Sequence, residues 1–105
     1  MLTFNLKKQW FDKIKSGEKT HEYRLKNYYW FHRLFRYWYD YRNNLPFLKG
    51  DDVCFCLGYP SKSDTDKWLY GKIKSVTIIN GKNTDLAIDK DVYDIEFELI
   101  QENEK

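Results

Sequence analysis

The chain has 105 residues, 42% of them apolar, and a formal net charge of +2, which suits one domain with one core and excludes a disordered polyelectrolyte. No apolar run approaches the roughly 18 residues of a membrane span, and no basic and apolar leader opens the chain, so a cytoplasmic protein without a membrane partner is expected. The charge is uneven: residues 1–50 carry eleven Lys/Arg against four Asp/Glu, and residues 51–105 carry seven against twelve. Either the first half meets an anionic partner, or the halves neutralise each other across one fold.

Leu2 to Leu6 alternates apolar and polar residues, as a half-buried strand does. From Lys7 the period changes. Trp10, Phe11 and Ile14 form a stripe at helical spacing, with Lys8, Asp12, Lys13 and Lys15 facing outward. This predicts a helix over 7–16 whose stripe is core, stopped by Gly17 in the left-handed conformation. Residues Lys19 to Leu25 read as a second strand.

Nine aromatic residues lie between Tyr28 and Tyr41, interleaved with His32, Arg33, Arg36 and Asp40. The spacing predicts a helix over about 29–42, with Trp30, Leu34, Trp38 and Tyr41 on one face. Aromatic rings beside arginines suit single-stranded nucleic acid, through stacking and phosphate contacts. Nine exposed rings would make a large apolar patch, so core packing takes the larger share of them. Asn43 to Pro46 marks a turn and helix stop.

Asp52 to Leu57 is a third strand, broken at Gly58-Tyr59-Pro60. Lys67 to Ile79 is a long fourth strand with a bulge expected near Gly71. Asn80-Gly81 is a two-residue hairpin signal, Leu86 to Asp91 a short connector, and Tyr93 to Ile100 a last strand with Tyr93, Ile95, Phe97 and Leu99 inward. Residues 101–105 are expected to fray. Cys54 and Cys56, two apart on one strand face, cannot readily bond each other, and a lone C-x-C lacks the second ligand pair of a zinc site. Reduced cysteines and no metal or cofactor are expected. The pattern describes an α+β chain of about five or six strands with two early helices, and leaves sandwich, barrel and open sheet competing.

The segment Gly17-Glu18-Lys19-Thr20-His21-Glu22-Tyr23-Arg24 concentrates the chemistry. Lys19 suits a phosphate or, when buried, proton transfer. Arg24 suits bidentate recognition of a carboxylate or phosphate. An exposed salt-bridge run would look the same. The spacing Gly-x-Lys-Thr-x-Glu-x-Arg after a short helix resembles the signature of the ASCH family, and every fixed position is matched. The Gly50-Asp51 pair before a strand and the Tyr29-Trp30 pair add to the resemblance, which covers about 2–100 in layout. It implies a single PUA-like domain, a small mixed β-barrel, whose cleft binds RNA or a modified nucleoside or nucleotide. Lys19, Thr20, Glu22, Tyr23, Arg24, Trp30, Arg33, Arg36 and Tyr59 are then the expected ligand-binding residues.

Some small ASCH proteins are metal-free amidohydrolases acting on N4-acetylcytidine. Their lysine corresponds to Lys19, and a threonine of theirs falls at Glu22. Their third catalytic residue is a glutamate in a helical insertion before the last strand; residues 81–91 are short here and offer only Asp85, Asp89 and Asp91, none of them aligned with it. As an enzyme, this chain would use Lys19 and Glu22 as its catalytic pair. A third alternative is a protein-interaction domain using the aromatic, basic helix.

Overall fold

The structure is a computed structural model, and it describes residues 2–34 and 52–100. Five strands and two helices follow in chain order: β1 (Leu2–Leu6), α1 (Lys8–Lys15), β2 (His21–Leu25), α2 (Tyr28–Leu34), β3 (Asp52–Leu57), β4 (Trp68–Asn80) and β5 (Asp91–Leu99). The strands form one mixed sheet in the order β1-β3-β4-β5-β2, curled into a half-barrel. The β1–β3 pair is parallel, with Phe4 opposite Phe55. The other pairings are antiparallel. No described helix is long and apolar enough to cross a membrane. The continuation of the second helix beyond Leu34, with Arg36, Trp38 and Tyr41, lies outside the described residues. So do the 43–46 turn, the Gly50-Asp51 pair and the 101–105 tail.

The alternation in β1 buries Leu2, Phe4 and Leu6. In α1 the helical stripe buries Phe11 and Ile14, while Lys13 and Lys15 occupy the last turn, where the helix dipole favours cations. Gly17 has φ +85°, the left-handed cap expected from the sequence. Its N–H donates to the Ile14 carbonyl at 3.0 Å, and the Lys19 N–H donates to the Lys13 carbonyl at 3.0 Å. The helix end thus fixes where β2 begins.

Aromatic rings fill the concave side. Phe4 stacks on Phe55 with centroids 5.7 Å apart, and Phe55 meets Phe97 at 4.4 Å. Trp30 of α2 closes the row, 5.3 Å from Phe4. Leu34 is fully buried, whereas Tyr28 and Tyr29 are exposed, so the described part of the aromatic segment divides between core and surface. Both faces of β3 are covered, and Cys54 and Cys56 are free, buried thiols. Burial pushes the Cys54 thiol up to about 11 and raises Cys56 as well.

Two expectations are corrected. The irregularity in β4 falls between Ile73 and Ser75, not at Gly71. Gly71 instead answers a close approach: a Cβ there would lie 2.5 Å from the Glu98 carbonyl oxygen. Asn80-Gly81 does not make a two-residue hairpin. Asn80 pairs with Asp91, and residues 81–90 form a longer connection that starts with a 3₁₀ turn at Gly81–Asn83. The Asn80 side chain accepts from the Lys82 N–H at 2.9 Å, a capping bond that competes with the tight turn.

Candidate functional site

The helix cap, β2 and the 81–90 connection bring four charged side chains into one row. Lys19 stands just before β2, with its Nζ bonded to Asp85 from the β4–β5 connection and 3.4 Å from Glu22 Oε1. The other carboxylate oxygen of Glu22 accepts from Arg24 Nε at 3.0 Å and from Arg24 Nη2 at 2.6 Å. The order Asp85–Lys19–Glu22–Arg24 alternates in sign. The Lys19 and Glu22 side chains are only 8% and 7% exposed, and Asp85 is 29% exposed. Such burial of charge is tolerated only with partners of opposite sign.

Aromatic faces surround the row. Lys19 Nζ lies 4.9 Å from the Tyr23 ring centre and 5.6 Å from that of Trp10, within cation–π range. His21 stacks on Tyr23, with centroids 6.3 Å apart, and its Nδ1 is 2.6 Å from Asp94 on β5. Burial, then the nearby Asp94, Asp85 and Glu22 carboxylates, raises the Tyr23 hydroxyl above its ordinary range. Tyr23 is therefore a neutral donor at neutral pH.

A cleft of about 260 Å³ opens over Lys19. Trp10, Lys13, Glu18, Thr20, His21, Tyr23 and Asp85 complete its wall, and Glu22 sits behind Lys19. A larger hollow of about 700 Å³ shares Lys19 and Thr20 but runs the other way, towards Trp68 and Leu99. Asp66, Glu96 and Glu98 balance Lys15, Lys19 and Lys74 around it. Lys19 lines both hollows, but the perturbed Tyr23 and the Asp85 bonded to Lys19 line only the smaller cleft, which makes it the candidate site.

The structure brings together Lys19, Thr20, Glu22, Tyr23 and Arg24. Trp30 touches the row from behind, with its ring 4.9 Å from the Arg24 Cζ. Arg33 lies elsewhere, donating to the Thr3 carbonyl at 3.4 Å beside the Trp30 and Tyr29 rings. Tyr59 is 93% exposed and is not part of the cleft wall. Arg36 lies outside the described residues. Sequence reasoning left Trp10 in the core stripe and did not choose Asp85 from its neighbours. Among the described residues, no group of three or more His, Cys, Asp or Glu side chains is arranged to hold a metal. No model of a known protein family matches the chain, and no curated protein is matched.

Proposed function

We propose that this chain is a PUA-like domain of the ASCH type whose Lys19 cleft binds a nucleoside, free or carried in single-stranded RNA. The observation that carries this reading is the convergence of Lys19, Glu22 and Asp85 under flat aromatic walls. Rings suit the faces of a base, and stacking contributes roughly 1–3 kcal/mol per base. At its edge, Asp85 accepts from an exocyclic amine and Lys19 donates to a ring carbonyl. A volume of about 260 Å³ lies near the lower limit of roughly 300 Å³ for small-molecule sites, so one nucleoside is the unit bound. The test follows Trp10, Lys19 and Tyr23 by NMR while the four ribonucleosides and a short single-stranded RNA are titrated in. Shifts confined to these residues, lost in Lys19→Gln and Trp10→Ala variants that keep a folded spectrum, are expected. RNA affinity should fall with salt where phosphates contribute. No response to any of these at low salt would favour the protein-interaction reading.

A second reading, hydrolysis of N4-acylated cytidine, is favoured by one contact. Asp85, from the segment before the last strand, bonds Lys19, which supports giving it the part of that carboxylate. Lysine and carboxylate in contact suit proton transfer to a leaving amine. Glu22 in place of threonine, and a short 81–90 connection in place of a helical insertion, weigh against turnover. Incubation with N4-acetylcytidine is expected to release no cytidine. Release abolished by Lys19→Ala and by Asp85→Asn would put the enzyme first.

A further inference from the structure

We propose that Arg24 is a positioning residue: it does not touch the ligand, and it holds Glu22 so that the row of charges behind Lys19 stays fixed. The inference rests on the reading of the Lys19 cleft as the binding site. Two of the three guanidinium nitrogens are engaged, and the side chain is 21% exposed. Nε and Nη2 both donate to Glu22 Oε2, and Nη2 also reaches the Asn5 carbonyl at 3.4 Å. Its Cζ lies 4.8 Å from the Phe4 ring and 4.9 Å from the Trp30 ring. Arg24 is not part of the cleft wall. To reach Nε or Nη2, a ligand would have to displace the Glu22 carboxylate.

What Arg24 does instead passes through Glu22. With Oε2 held, Oε1 faces Lys19. Asp85, Lys19, Glu22 and Arg24 then sum to zero charge. Without Arg24, two carboxylates share Lys19, and the buried one, Glu22, loses the partner that fixes its Oε2. The other charged or titratable groups nearby are committed elsewhere. His21 is held by Asp94 of β5, Lys13 pairs with Glu18 at the cleft rim, and Tyr23 stays neutral. Arg33 of α2 lies on the Tyr29 and Trp30 rings. Among the described residues, Lys19 and Arg24 are the cations paired with Glu22.

Two measurements test this. The first follows the Glu22 side-chain carboxyl carbon by NMR at pH 7 and needs no ligand. Arg24→Gln is expected to move its resonance, and Arg24→Lys to restore most of it. An unchanged resonance in folded Arg24→Gln overturns the proposal. The second measures cytidine affinity. Arg24→Gln is expected to weaken it about tenfold, the scale of one charge-assisted hydrogen bond. In a Glu22→Gln background, where both charges leave together and the fold is spared an unpaired ion, adding Arg24→Gln is expected to change nothing further. A further loss in that background would mean that Arg24 meets the ligand directly. If the unmodified protein binds neither cytidine nor RNA, the functional reading fails, while the carboxyl resonance still decides the role of Arg24.

Discussion

Lys19 owes its burial to carboxylates from two separate segments, Glu22 three residues on and Asp85 across the fold. Replacing it with Met should therefore cost stability as well as binding. Breaking a fully buried pair costs roughly 3–5 kcal/mol. Arg24 still satisfies one oxygen of Glu22, and Asp85 is 29% exposed, so the expected cost of Lys19→Met is lower, about 2 kcal/mol. Urea unfolding at pH 7 measures it. The Lys19–Glu22–Arg24 part of the site was legible in the sequence because its members lie within six residues, where strand geometry and the glycine stop decide their placement. Asp85 was not legible. It lies 66 residues from Lys19, and nothing in its own neighbourhood separates it from Asp89 and Asp91.

Among the described residues, strand and helix positions followed closely from periodicity, because burial selects the apolar face wherever the period is clear. The segment that misled was Asn80-Gly81, where a side-chain cap defeats a turn signal. That segment matters because the connection it opens carries Asp85 to the cleft. A Cβ on Gly81 would lie 2.7 Å from Val92 Cγ1 and 3.0 Å from the Ile88 carbonyl oxygen. Gly81→Ala should therefore destabilise by about 1–3 kcal/mol, as overpacking does, and perturb the Lys19 signals through Asp85. Gly17→Ala differs in kind. No atom lies within 4 Å of the added Cβ, so the cost is backbone strain at φ +85° alone, about 1–2 kcal/mol. Thermal melts of the two variants, read beside their NMR spectra, separate the effects. Gly17→Ala should melt lower, and its Asp85 signal should stay in place.

The two halves of opposite charge interleave in one sheet, since β1 pairs with β3 and β2 with β5, so separation along the chain is not separation in space. Another property of the whole molecule is its buried acids. Burial is the leading cause that raises Cys54, Cys56, Tyr23 and Tyr93, with Cys54 moving from the ordinary 9.0 to about 11. In each the neutral form is preferred in the fold, and the unfolded chain gives up its proton at a lower pH. Between the two values the unfolded state binds fewer protons, so stability falls as pH rises. The stability that Cys54 contributes is fully present below pH 9 and is lost progressively towards pH 11, and that of the tyrosines is lost only above their ordinary 10.0. The urea midpoint should accordingly hold steady from pH 7 to 9 and then drop. A Cys54→Ala, Cys56→Ala double variant should start lower, because it leaves cavities in a covered strand, and should fall less steeply between pH 9 and 11. A flat midpoint up to pH 11 in the unmodified chain would mean that the thiols and tyrosines ionise in place without opposing the fold. An equal fall in both proteins would assign the loss to Tyr23 and Tyr93.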